Sequence, residues 1–305
     1  MIYIINQFYG QRREHLKREL AEYLFSCGFE VTVLTGKNGE KGLKKKEISY
    51  INILRISNSS FDGGIVKKLI SYITFVIGAF FRILFFEKGS IIVVSSQPFL
   101  VARCVTLLKK MKRFRVLYNI QDLFPDIMYS KNISKGTIVY RLMKRVQKKT
   151  IDNSDVVITI SKSMADLVMT RYSVNASKLR IIENWGNTKI EEEIKRRKKP
   201  RNAKGKRLRL IYAGNLGISH EIDTIFECLE LISNSNIKHD VEFRIIGFGY
   251  NYNILKSKCE SRCFGFVHFY DPLSDDELAN VFAESDLALI ISTKTARGSM
   301  VPSKF

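Results

Sequence analysis

Residues 208–217, LRLIYAGNLG, decide the fold. The first seven form a strand with apolar side chains on both faces. Gly214, Asn215 and Gly217 then precede a helical segment at 221–233. A strand buried on both faces belongs to a parallel sheet with helices on either side. The position of the stretch makes it decisive. Strands and helices alternate before it, a charged segment interrupts, and here the alternation starts again.

Upstream, apolar strands are expected at 2–8, 30–36, 50–57, 90–96, 115–122, 155–161 and 179–185, with helices between most of them. The helix over 12–25 carries Leu16, Leu20, Tyr23 and Leu24 on one face, and Gly28 suits its C-terminal cap. Downstream, strands are expected at 241–247, 267–270 and 286–292, and helices at 221–233, 250–261 and 275–284. The interruption, GNTKIEEEIKRRKKPRNAKGKR (186–207), is charged and contains Pro200, which marks a linker that is helical only at its start. The chain is therefore expected to be α/β, with two Rossmann-like domains in tandem. Residues 1–185 form the first, 186–207 a basic linker and 208–305 the second.

The formal net charge of +20 is unevenly placed. Residues 1–184 carry 31 Lys+Arg against 14 Asp+Glu, and 185–209 carry 11 against 3. Residues 210–305 carry 8 against 13. The basic part suits an anionic membrane surface or a nucleic acid. A nucleic-acid partner is not expected, because the aromatic and basic interleaving of a stacking platform is missing. The five cysteines are scattered, and no His pair stands beside Cys259 and Cys263, so neither a zinc site nor a disulfide framework is expected. The opening MIYIINQF lacks the basic lead and cleavage site of a signal peptide.

Leu69 to Phe86, LISYITFVIGAFFRILFF, holds one charge in 18 residues, with Lys67 and Lys68 before it. As a helix it spans about 27 Å. Three readings are open: a transmembrane span, a fully buried crossover helix, or a crossover helix with one side on the sheet and the other in a membrane interface. The acid-free stretches 103–115 and 131–149 would hold the same face to anionic headgroups.

In open α/β sheets, ligands bind where strands end. Gly214, Asn215 and Gly217 stand at one such end, and Gly247 and Gly249 at another. Small residues there let backbone N–H groups approach phosphate, and a helix N-terminus adds positive potential. Ser303 and Lys304 follow the last strand, with Lys304 as a point charge for a diphosphate. In the first half, Asp122 and Asp126 in NIQDLFPD lie just past a strand. Asp122 is the candidate to act on or position an acceptor hydroxyl, and the alternative is a pair of solvent-facing capping carboxylates. His15 lies by the same edge and suits a surface role. No DxD, GxSxG, Walker A or full GxGxxG sequence occurs.

These residues resemble GT-B glycosyltransferases of family 4, above all the bacterial enzymes of O-antigen, capsule and colanic-acid assembly. RELAEYLFSCGFEVTVLTG is similar to the family's opening, QDLFPD to its DLWP element and IIENWGN to its domain crossing. YAGNLG, RIIGFG, VHFYDPLSDDELANVFAESDLALI and VPSKF are similar to its donor domain. The resemblance implies retaining, metal-independent and cofactor-free transfer of a hexose-type sugar. The donor would be a nucleotide-sugar, UDP before GDP, and the acceptor would be linked to a polyprenyl diphosphate. The enzyme would be peripheral to the cytoplasmic face of the bacterial inner membrane. The donor would lie near Gly214, Asn215, Gly217, Gly249, Val267 and Lys304, and the acceptor against the first domain. The family runs about a hundred residues past the PSK element, so the chain is expected to be a C-terminally incomplete enzyme. The rivals are a nucleotide-sugar 2-epimerase of the same architecture and an inactive membrane-binding fragment.

Overall fold

The computed structural model describes residues 1–9, 15–37, 50–59, 65–129, 137–198, 207–217 and 220–291. The chain forms two compact units, the first running to Asn184 and the second beginning at Trp185.

The first unit holds strands β1 (Ile2–Ile5), β2 (Val31–Gly36), β3 (Asn52–Ile56), β4 (Ile91–Ser95), β5 (Arg115–Ile120), β6 (Val156–Thr159) and β7 (Leu179–Ile181). They form one sheet in the order β3-β2-β1-β4-β5-β6-β7, and every neighbouring pair is parallel. Its helices are α1 (His15–Ser26), α2 (Ile65–Ile83), α3 (Phe99–Lys112), α4 (Asp126–Tyr129), α5 (Ile138–Asn153) and α6 (Lys162–Tyr172). Strand side chains alternate between faces, and here both faces are apolar. Ile2 and Ile4 of β1 join a core with Ala21 of α1, while Tyr3 and Ile5 join the core on the opposite face with Phe75, Ala79 and Ile83 of α2.

The structure excludes two of the readings of the apolar stretch. α2 connects β3 to β4, two strands of one sheet, so it cannot cross a membrane between them. Among the described residues no helix is long and apolar enough to do so. A fully buried crossover is also excluded: Ile77 is 52% and Phe81 58% exposed. Phe75, Ala79 and Ile83 recur every four residues on the buried side, and Leu69, Ile73 and Ile77 do the same on the exposed side. Gly78 fixes this orientation, since a Cβ there would lie 2.3 Å from Ile56 Cγ2.

The second unit opens with α7 (Thr188–Arg197), followed by β8 (Leu208–Asn215), α8 (Asp223–Ser233), β9 (Val241–Phe248), α9 (Tyr250–Ser261), β10 (Val267–Tyr270), α10 (Asp275–Glu284) and β11 (Leu287–Ala288). The parallel sheet runs β10-β9-β8-β11. The helical start expected of the 186–207 segment is α7, capped by Asn187 and packed on α10, where Arg197 donates to Asp276 and Asn280. One expectation is corrected. The strand expected at 286–292 is only two residues long and pairs with β8 alone, which leaves Leu287 and Ile290 exposed. The expected incompleteness turns on residues past 291, which lie outside the described residues.

Behind β5, the chain is anchored by Asp126, which is 4% exposed. Its carboxylate accepts from Arg171, from the Tyr172 hydroxyl at 2.9 Å and from the Tyr140 hydroxyl at 3.1 Å. Burial and the adjacent carboxylate push the Tyr140 hydroxyl up to about 12. Asp126 is thus an internal tie between α4, α5 and α6 and not a solvent-facing cap. Asp126→Ala should cost about 2–4 kcal/mol, because it leaves a guanidinium and two hydroxyls short of an acceptor. A urea melt with a lowered midpoint and unchanged slope would show this. In the second sheet, Gly214 and Gly247 face each other across β8 and β9, and a Cβ on Gly247 would sit 1.9 Å from the Gly214 carbonyl oxygen. Gly247→Ala should therefore destabilise by more than about 2 kcal/mol. Gly265→Ala, whose added methyl meets nothing within 4 Å, should leave the midpoint unchanged.

Candidate functional site

Each unit carries a polar edge where its strands end. In the first unit the strand order turns back between β1 and β4, the switch point at which open sheets bind ligands. Ser96 and Gln97 leave β4 there, and Gln121 and Asp122 leave β5. The Ser96 hydroxyl oxygen accepts from the backbone N–H of both Gln121 and Asp122, each at 3.1 Å. The Gln97 amide donates to the Asp122 carboxylate. Asn184 donates to the Gln121 side-chain oxygen at 2.8 Å, and Gln121 donates to Asn119 at 3.0 Å. The Asp122 carboxylate is thereby oriented by a neutral amide while remaining half-exposed. Such a group can accept a proton from a hydroxyl or hold that hydroxyl in place. His15 begins α1 by the same edge. It is half-buried, and no described residue bonds its enclosed Nε2.

The roles of Ser96, Gln97, Gln121 and Asn184 are not evident from the sequence, because each depends on a partner distant along the chain or on a neutral side chain of no special pattern. Gln97 offers a usable signal, since it directly follows SIIVVSS (90–96) at a strand end.

In the second unit the two glycine turns fuse into one platform. Gly214, Gly247 and Gly249 adopt φ values of 138°, 146° and 129°, where other residues are strained. The Leu216 N–H donates to the Phe248 carbonyl at 2.8 Å, and the Asn251 N–H donates to the Leu216 carbonyl at 2.9 Å. A Cβ on Gly249 would lie 2.4 Å from Asn215 Oδ1, so the exposed Asn215 carboxamide lies across the platform between Gly217 and Gly249.

Two helices start at this edge. α9 has Gly249 as its N-cap, no side-chain cap and no acid in its first turn, which suits an anion. One of its first amides is already used by Leu216. α8 carries Asp223 in its first turn, paired with Lys258 at 2.7 Å, and is the poorer anion site. Gly214, Asn215, Gly217, Gly247 and Gly249 are thus together. Val267 is not with them: it pairs with Phe243, four residues before Gly247, or about 13 Å down the strand. Ser303 and Lys304 lie outside the described residues. Among the described residues no group of three His, Cys, Asp or Glu could hold a metal ion.

The chain is similar to two curated proteins. Probable glycosyltransferase WbjE of Pseudomonas aeruginosa is 25% identical over 225 residues, which cover 72% of this chain and 54% of that protein. The chain thus spans about half of WbjE's length. Putative colanic acid biosynthesis glycosyl transferase WcaI of Escherichia coli K12 is 22% identical over 308 residues, covering 94% of this chain and 74% of that protein. Among solved structures, an Escherichia coli trehalose-6-phosphate protein bound with UDP-2-fluoro glucose superposes with a TM-score of 0.68 at 11% identity. The superposition covers 98% of this chain and 82% of that one, and shows a shared fold. The family model for Glycosyltransferase Family 4 matches residues 16–189, more than half of the chain. The chain belongs to Glycosyltransferase Family 4.

Proposed function

We propose that this protein is a glycosyltransferase of cell-surface polysaccharide assembly, moving a sugar from a nucleotide-sugar to a polyprenyl-diphosphate-linked acceptor. The observation that carries the donor half is the fused glycine platform of the second unit, where backbone amides and the α9 N-terminus suit a diphosphate. The UDP-2-fluoro glucose on the structurally similar trehalose-6-phosphate protein supports UDP as the nucleotide. In the acceptor half, Asp122 receives or orients the attacking hydroxyl, and Gln97 and Ser96 hold its carboxylate and backbone. The reaction retains anomeric configuration and needs no metal or cofactor, as the family resemblance implies.

A lipid-linked acceptor requires the enzyme to work at a membrane surface. The exposed stripe of α2 supports this role, as does α5, which shows Ile138, Val139 and Leu142 to solvent beside Arg141, Lys144 and Arg145. Apolar side chains next to cations are the composition of an interfacial contact. The protein is thus proposed to lie on the cytoplasmic face of the inner membrane.

With UDP added, amides at 214–217 and 247–249 should exchange more slowly with solvent, and GDP should protect them less. Protection confined to the first unit would show that the donor was assigned to the wrong half. Asp122→Asn should lower sugar transfer by at least about a hundredfold while leaving UDP protection intact, and EDTA should leave wild-type transfer unchanged. Sedimentation should show the protein on phosphatidylglycerol vesicles, with binding weakened by salt and by charge reversal at Lys144, Arg145 and Lys149. Equal sedimentation with neutral vesicles would remove the electrostatic part of this reading.

A further inference from the structure

α3 begins without a cap of its own. Its N-cap is Pro98, which offers no side-chain acceptor. An N-cap side chain normally accepts from the amide two or three residues on. In this protein that amide, the N–H of Leu100, donates to the hydroxyl oxygen of Tyr72 at 2.8 Å. Tyr72 belongs to α2, so one crossover helix caps another.

What lies just before that cap gives it meaning. Ser96 and Gln97 immediately precede Pro98, and they hold the backbone and the carboxylate of Asp122. The loop is therefore fixed by β4 at one end and by Tyr72 at the other. α2 is itself firmly seated. Gly78 presses on Ile56, and the Ser71 hydroxyl oxygen accepts from Gln7 at 3.3 Å and from Asn58 at 3.1 Å. Its opposite side is the exposed stripe.

We infer that Tyr72 is a positioning residue that ties the pose of the Gln97–Asp122 pair to the seating of α2, so that handling of the acceptor responds to lipid contact on the outer stripe. This rests on the proposal that Asp122 faces the acceptor and that the stripe meets lipid. The link between α2 and the start of α3 is the Tyr72 hydroxyl oxygen, which accepts from the Leu100 amide. Burial pushes the hydroxyl up to about 12, which keeps it a neutral acceptor throughout the physiological range.

Tyr72→Phe tests this, because it keeps the ring and removes the oxygen. The catalytic efficiency kcat/KM for the acceptor should fall about five- to tenfold, the scale of a lost cap. The KM for the nucleotide-sugar should not change, and stimulation by phosphatidylglycerol vesicles should disappear. Hydrogen exchange gives a reading independent of activity. In the wild type, vesicles should slow the amides of 99–101 and 121–123, and in Tyr72→Phe they should not. If the wild type shows this response but transfers no sugar, the coupling stands and only the catalytic reading falls. The inference is overturned if the variant keeps the vesicle response or the wild-type acceptor kinetics. It is equally overturned if donor and acceptor parameters decline together, as general loosening would produce.

Discussion

Parallel pairing is the constraint on which the rest of this structure depends. Two parallel strands can be joined only by a segment that travels back along the whole sheet, so each crossover helix begins at the edge where the strands end. The helices also cover both faces, which forces apolar residues onto both sides of every central strand. β1 shows the result, with Ile2 and Ile4 in one core and Tyr3 and Ile5 in another. Little room for chemistry remains inside. In each sheet, helix N-termini, tight turns and polar side chains gather at the edge where its own strands end: Ser96, Gln97 and Asp122 in the first unit, and Gly214, Asn215, Gly247 and Gly249 in the second.

The two edges solve different problems. In the second unit the strands approach so closely that side chains are excluded, and the carbonyl of Gly214 occupies the space a Cβ of Gly247 would need. What remains to face a ligand is backbone, a helix N-terminus and the neutral carboxamide of Asn215. Such a surface suits an anion by dipoles and hydrogen bonds. In the first unit the edge keeps its side chains, and they act in series: Ser96 fixes the main chain of Asp122, Gln97 its carboxylate and Asn184 the neighbouring Gln121.

Much of this was legible in the sequence, and the rest was hidden for definable reasons. The bounds of α9, β10 and α10 coincide with those expected from the residues alone. Local signals carry that much: Gly249 ahead of α9, and the capping box of Ser274 and Glu277 at α10. Features that depend on distant partners were not legible. Asp122 and Asp126 look alike in NIQDLFPD, yet Asp126 turns inward to Arg171, 45 positions away. Gln97 meets Asp122 across 25 positions and Leu100 meets Tyr72 across 28. α7 resembled a linker because Ile190 and Ile194 are its only apolar residues, and its seat on α10 relies on Arg197 reaching Asp276. Val267 stands in a stretch similar to the family's donor domain, and only strand register shows that it lies well below the edge.

The outer stripe of α2 follows from the same constraint. A helix that is apolar all round leaves the sequence silent about which side is buried. Packing decides, and it does so through the smallest residue. Gly78 is the one position where the backbone of α2 can approach Ile56 so closely. Rotating the helix to bury Ile73 and Ile77 would lift Phe75, Ala79 and Ile83 out of the core and drive a larger side chain against β3. It would also break the bonds of Ser71 to Gln7 and Asn58 and of Tyr72 to Leu100. The stripe is therefore fixed by the buried side of the helix and cannot be relieved by local repacking. Of the polar contacts that hold it, those of Ser71 lead to Gln7 and Asn58, and that of Tyr72 leads to Leu100, three residues past Gln97, which bonds Asp122.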